Sequence, residues 1–198
     1  DCGSTDDKYY SVDALSSIRV PEAEEYIGDE DHKDTYVARQ AIDLRGYRDW
    51  WDVYVNETVI LQRPMAKIEF ITTDIDKFLD ELAARRLNNV GSLSDELLRE
   101  NPDLSTIQVQ VEYAGYFPSG FNAYTNKPND ARLGMSFTCS MKPLSDKEAH
   151  LASDYIFVNG SESAVKVNLI IRDSEGHLLN EVGGIDVPIV RGKLTTIR

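Results

Sequence analysis

Cysteine is nearly missing: Cys2 and Cys139 stand far apart in a chain of 198 residues. That separation fits none of the paired-cysteine patterns of structural zinc or thiol-redox sites. Basic surplus is missing too. With 21 Lys and Arg against 34 Asp and Glu, the net charge is −13, and no basic run interrupts it. Nucleic acid, which is bound by lysine and arginine displacing counterions, is excluded as a partner class, and adsorption to anionic lipid is disfavoured. No stretch approaches the roughly 18–20 apolar residues that span a bilayer.

Catalytic and cofactor patterns are also lacking. The sequence holds no H-E-x-x-H, G-x-S-x-G, phosphate-binding loop or G-x-G-x-x-G. His32, His150 and His177 lie in polar surroundings without a partner at ligand spacing, and His177 falls in a turn where exposure is expected. Carboxylates are so numerous that chance supplies close pairs, so no glycosidase-type acid and nucleophile can be nominated. Asp29-Glu30-Asp31 lacks the alternating ligands and glycine of an EF-hand loop and reads as a solvated acidic loop. No metal, cofactor or catalytic residue is expected, and the chain reads as a non-enzyme.

What is present is mostly β pattern. Ile18-Arg19-Val20 and Ala41–Arg45 are short strand candidates. Val53-Tyr54-Val55 and Val59-Ile60-Leu61 are rich in β-branched residues, and Met65–Phe70 alternates apolar with polar after Pro64, which should mark an edge, a bulge or a crossing between two sheets. Thr106–Tyr113 alternates with a period of two, giving one buried face. Leu133–Met141, Tyr155–Val158, Ala164–Arg172, Val187–Val190 and Lys193–Ile197 continue the series, the last two reading as a strand pair, with Asp173–His177 as a hairpin turn. One helix is expected over about residues 74–87, where Ile75, Phe78, Leu79, Leu82, Ala83 and Leu87 form a single stripe. Thr73 is its candidate N-cap, with acids in the first turn and Arg85 and Arg86 in the last. A helical turn is expected at Ser94–Arg99. Short strands with no helix between successive ones predict a mainly β sandwich carrying one amphipathic helix.

Two groups of residues are candidates for contact with other molecules. Gly115–Tyr124 concentrates Tyr116, Phe117, Phe121 and Tyr124 between turn residues, a pattern that serves either a ligand loop for glycan or plugs for the sandwich core, the Phe residues favouring the core. Trp50 and Trp51 are adjacent, and in an extended chain they point to opposite faces, so at least one is expected at the surface. The last strand, with Leu194, Thr195, Thr196 and Ile197, is the candidate assembly strand, because an incomplete sheet edge can accept a strand from another chain. Cys139 lies on a strand and is expected as a buried free thiol. A Cys2–Cys139 disulfide stays open, since its geometry cannot be read from sequence.

Three segments carry a family resemblance. Leu61-Gln62-Arg63-Pro64-Met65-Ala66-Lys67-Ile68-Glu69-Phe70 resembles the R-P-x-A-K-I strand of Bacteroidales fimbrillin-like proteins, and Val187-Pro188-Ile189-Val190-Arg191-Gly192-Lys193-Leu194-Thr195 resembles their closing strand. With Asp154-Tyr155-Ile156-Phe157-Val158-Asn159 and the Tyr116–Asn122 loop, the set is similar to FimB-type minor fimbrial subunits, which anchor or regulate type V pili. The resemblance implies transthyretin-like β-sandwich domains, no catalytic residues, other fimbrial subunits as partners, and an outer-membrane location. Any membrane attachment would be through a lipid anchor upstream of Asp1, with Cys2 internal. It also implies a division at residue 62, with 1–62 the remnant of a first β domain and 63–198 a second sandwich. A surface carbohydrate-binding module taking glycan or a host ligand is the alternative.

Overall fold

The computed structural model describes residues 8–21, 26–89, 103–160 and 162–198, leaving aside the side chains of 85–89. The candidate disulfide through Cys2, the turn at Ser94–Arg99 and the side chains of Arg85, Arg86 and Leu87 lie outside the described residues.

In chain order the elements are β1 (Ile18–Arg19), β2 (Met65–Thr72), α1 (Ile75–Asn89), β3 (Gln108–Tyr113), β4 (Phe117–Asn122), β5 (Lys127–Arg132) and β6 (Ser136–Ser140). They continue through β7 (Lys142–Pro143), β8 (Ala149–Phe157), β9 (Ser163–Arg172), β10 (Leu178–Ile189) and β11 (Leu194–Ile197). Two four-stranded sheets, ordered β10-β9-β3-β6 and β11-β2-β8-β7, share one core, and β1-β4-β5 forms a smaller third sheet. The expected mainly β sandwich with one helix is what the chain forms.

Period-two sequences explain the inner faces. Val109, Val111 and Tyr113 of β3 face inward with Val165, Val167, Leu169 and Ile171 of β9, and β2 contributes Ala66, Ile68 and Phe70. Each of the Val, Leu, Ile and Phe side chains, taken fully out of water, contributes about 1.5–3 kcal/mol. Helix α1 adds Ile75 and Leu82, with Phe78 and Leu79 partly covered, so the expected stripe is the face that packs. It begins one residue beyond a Thr73 cap: the Asp74 carbonyl accepts the first helical bond, from the Phe78 N–H at 3.2 Å.

β8 is buried along nearly its whole length. One edge pairs with β2 from Met65↔Phe157 to Thr72↔Ala149, whereas β7 covers the other edge only at Ala149 and His150. Beyond that point Asp29 substitutes for a strand. Its N–H donates to the Ser153 carbonyl at 2.8 Å, and its carboxylate accepts from the Ser153 N–H at 3.0 Å and hydroxyl at 3.1 Å. Asp29 adopts φ 51°, a left-handed conformation that aspartate tolerates better than most residues. The segment read as a solvated acidic loop is therefore docked: Asp29 also holds Lys142, Asp31 holds Lys67 at 2.6 Å, and Glu30 caps the short turn Asp31–Lys33. His150, expected in polar surroundings, is mostly covered, with Nε2 at 3.6 Å from Asp29 and 4.0 Å from Glu69.

Other expectations are corrected. The closing segments are not a strand pair, because β10 pairs with β9 and β11 pairs parallel with β2; the turn through Gly192, at φ 68°, carries the chain from one sheet to the other. Ala41–Arg45, Val53–Val55 and Val59–Leu61 form no strands, and no strand among the described residues pairs with them. Residues 39–62 instead make an exposed excursion, closed at its base by the mutual hydrogen bonds of Val37 and Gln62, both 2.9 Å. Tyr10, Val20, Tyr26 and Lys33, all before residue 62, are buried together with the strands that follow it.

Gly28 sits against the Phe137 ring so closely that an added Cβ would lie 2.4 Å from ring carbons. Gly28→Ala is expected to lower stability by about 1–3 kcal/mol through overpacking, read as an earlier midpoint in urea unfolding. An unchanged midpoint would mean that this segment is not seated against β6.

Candidate functional site

The aromatic candidates separate into two populations. Phe117 and Phe121 are each 1% exposed. They belong to the core: Phe117 lies against Tyr113 with ring centroids 4.6 Å apart and against Tyr26 at 5.1 Å, and Phe121 stacks on Phe157 at 5.3 Å. They offer no binding surface. Their segment is strand β4, whose alternate residues face inward, so the core-plug reading is the one that holds. Tyr116, Tyr124, Trp50 and Trp51 are exposed, Trp51 completely.

The two tryptophans ride on the 39–62 excursion together with Ile42, Leu44, Tyr47, Tyr54, Val59, Ile60 and Leu61, all exposed. Long loops like this one, which holds only the 3-10 turn Arg45–Tyr47, are commonly functional, and this one carries many of its apolar side chains in water. Tyr124 meets its base. The Arg39 guanidinium donates to the Tyr124 carbonyl at 2.7 Å, and Arg39, Ile60, Gln62, Tyr124 and Asn126 line a cleft of about 260 Å³. Trp50, Trp51 and Tyr116 do not line that cleft.

The candidate assembly residues Leu194, Thr195, Thr196 and Ile197 are β11 itself, in register with Lys67, Ile68, Glu69 and Phe70 of β2. β11 is the end strand of its sheet, so among the described residues its far side has no strand neighbour. Thr195 Oγ1 donates to the Pro188 carbonyl at 2.7 Å, tying this edge to the opposite sheet.

A third group escaped sequence reasoning altogether. Lys33 and Asp154 are 1% and 0% exposed and form an ion pair, Nζ to Oδ1 2.5 Å. Asp154 pairs across the ladder with Ile68; the short turn Asp31–Lys33 brings the lysine to it. Every acceptor position is used. Oδ1 also receives the Tyr155 N–H at 2.8 Å, and Oδ2 receives the hydroxyls of Tyr113 at 2.6 Å and Tyr26 at 2.8 Å. Lys33 Nζ also donates to the Tyr26 hydroxyl and lies 4.1 Å from the centre of that ring. Tyr10 closes the shell, donating to the Lys33 carbonyl at 3.1 Å.

The electrostatics follow from this burial. Removal from water pushes the Tyr26 and Tyr113 hydroxyls well above 10, and the Asp154 charge adds to the shift. Desolvation lowers Lys33 from its usual value, while Asp154 opposes that change. One signal was available: Asp154 sits in a run, Leu151 to Phe157, that is otherwise apolar but for Ser153, and there an ionisable residue needs a partner. Lys33, among acids and polar residues, carries no such signal. Cys139 is free and half-buried on β6, its thiol donating to the Leu151 carbonyl at 3.2 Å and pushed up to about 12 by burial. No helix among the described residues is long and apolar enough to cross a membrane.

Fold and surface thus define a β-sandwich module with an unpaired end strand and an exposed aromatic excursion. The chain belongs to DUF6562, a family of unknown function whose model matches residues 1–198. A crystal structure from Bacteroides uniformis ATCC 8492, of what is there called a "putative cell adhesion protein", is similar at 15% identity, with a TM-score of 0.31. The match covers 70% of this chain and 46% of that protein, so this chain spans less than half of its length. No curated protein matches.

Removing the carboxylate leaves a buried ammonium without a counter-charge. Asp154→Ala is expected to cost about 3–5 kcal/mol in denaturant unfolding, while Lys33→Met with Asp154→Leu recovers much of that loss. A single variant as stable as the double would show the pair to be energetically idle.

Proposed function

We propose that the chain is a non-enzymatic subunit of a cell-surface fimbria, exported to the outer membrane surface, which works by contact with other fimbrial subunits. The observation that carries this reading is spatial. The three segments that resemble fimbrillin-like proteins are far apart in sequence yet lie side by side as β2, the end of β8, and the passage from β10 into β11. Their backbones bond directly: Lys67 N–H to the Lys193 carbonyl at 2.9 Å, Gly192 N–H to Met65 at 2.7 Å, and Val158 N–H to Pro64 at 3.1 Å. Motifs that meet backbone to backbone behave as a structural signature of a module rather than as a catalytic one. The sheet of β2 and β8 ends in β11, whose unpaired edge suits strand-to-strand contact with another subunit.

The exposure of Trp50 and Trp51 favours a second reading, a surface carbohydrate-binding module. Flat aromatic faces in water are suited to stacking on sugar rings.

A photo-crosslinking residue placed at Thr196 in the full-length native protein, in its own cells, separates the two. Covalent adducts with fimbrial subunits are expected. Adducts confined to polysaccharide-uptake components would overturn the fimbrial reading, as would a native protein found in the cytoplasm. Glycan-array binding that disappears in Trp51→Ala, a change at a fully exposed position, would establish the second reading in its place.

A further inference from the structure

The buried pair has a chemical capacity that an ordinary ion pair in water lacks. Nζ of Lys33 touches Oδ1 of Asp154, and both side chains are sealed from solvent. Four donors fix the carboxylate, two of them phenols on Oδ2. We propose that Lys33 and Asp154 condense to an intramolecular amide, an isopeptide bond between Nζ and Cγ that joins the 26–33 segment covalently to β8.

The step balances without any other reagent. The ammonium passes one proton to Oδ1, leaving a neutral amine beside a carboxylic acid. The nitrogen lone pair attacks Cγ, and the C=O pair moves onto Oδ2, where the Tyr26 and Tyr113 hydroxyls hold the developing negative charge as donors aimed at an oxyanion do. A second proton then moves from nitrogen to Oδ1, the Cγ–Oδ1 bond breaks, and water leaves. An ammonium and a carboxylate have become one neutral amide and one water, with no oxidant, reductant or activated group.

Two physical terms drive a reaction that is unfavourable between the same groups free in water. Each ion carries a large desolvation penalty inside a protein, and the neutral amide removes both charges at once. Fixed contact also replaces a bimolecular encounter, an advantage of about 10⁵–10⁸ M in effective concentration for well-oriented groups. The packed aromatic surroundings, with Phe117 against both Tyr26 and Tyr113, hold that contact in place. The linkage would span 121 residues of sequence and serve a chain whose described cysteine is a free thiol. The inference does not depend on the fimbrial reading.

Intact-mass spectrometry of the purified full chain tests it directly. The expected mass is lower than that of the sequence by one water, and digestion is expected to release a branched peptide joining Lys33 to Asp154. Lys33→Arg keeps the charge but cannot form this amide, so its mass should equal that of its sequence. Tyr113→Phe removes one donor from Oδ2 and should slow conversion about 100-fold or more, followed by mass as chains purified unfolded, before any amide has formed, are allowed to fold. A folded wild-type protein of full mass with no branched peptide overturns the proposal and leaves an ion pair only. So does a water-deficient Lys33→Arg protein, which would place the lost water elsewhere.

Discussion

A lysine and an aspartate sealed inside a β-sandwich constrain everything around them. Neither charge can stay there unless its partner arrives and the remaining acceptor positions are filled. Asp154 is supplied by β8, Tyr113 by β3, and Lys33 and Tyr26 by the segment before β2. The pair therefore demands that both large sheets and the leading segment be in place together. Polar specificity of this kind complements the apolar core, which could tolerate many rearrangements, whereas a carboxylate held by four donors tolerates few.

That demand accounts for the docking of residues 26–33 along β8. The edge of β8 past Ala149 would otherwise expose backbone groups beside an apolar interior. Asp29 covers it with main-chain and side-chain bonds to Ser153, Tyr26 packs on Phe117 and Phe137, and Gly28 passes close to the Phe137 ring. The exterior is organised on the opposite principle. Residues 39–62 bury nothing in the core and carry their apolar side chains into solvent, and β11 leaves one side of its backbone unpaired among the described residues. A closely packed interior and open contact surfaces thus occupy different parts of the chain.

Legibility in the sequence tracked how local each determinant is. β2, β3, β9 and α1 announce themselves because their side chains alternate or form a stripe within one window. β4 and β5 do not: Pro118, Gly120 and the run Lys127–Asp130 look like turns, yet they form strands in a small sheet whose β5 lies at the edge, where such residues are tolerated. The middle of β10 was hidden by Gly183-Gly184, which marks a register shift rather than a break. Val53–Leu61 has strand composition without a strand, since pairing needs a neighbour that composition cannot reveal. At the candidate site, the burial of Phe117 and Phe121 was readable from residue type, and the exposure of at least one of Trp50 and Trp51 from their adjacency. The Lys33–Asp154 contact was not, because it joins positions whose local settings say nothing of each other.

The 26–33 segment belongs to the cooperative core rather than to the surface. Native-state hydrogen exchange at the Asp29 amide, whose acceptor is the Ser153 carbonyl, measures this most directly. Exchange only through global unfolding, at the same free energy as the Val109 and Leu169 amides in the sheet interior, is the predicted result. Exchange at the rate of an open loop, with those strand amides still protected, would contradict the account.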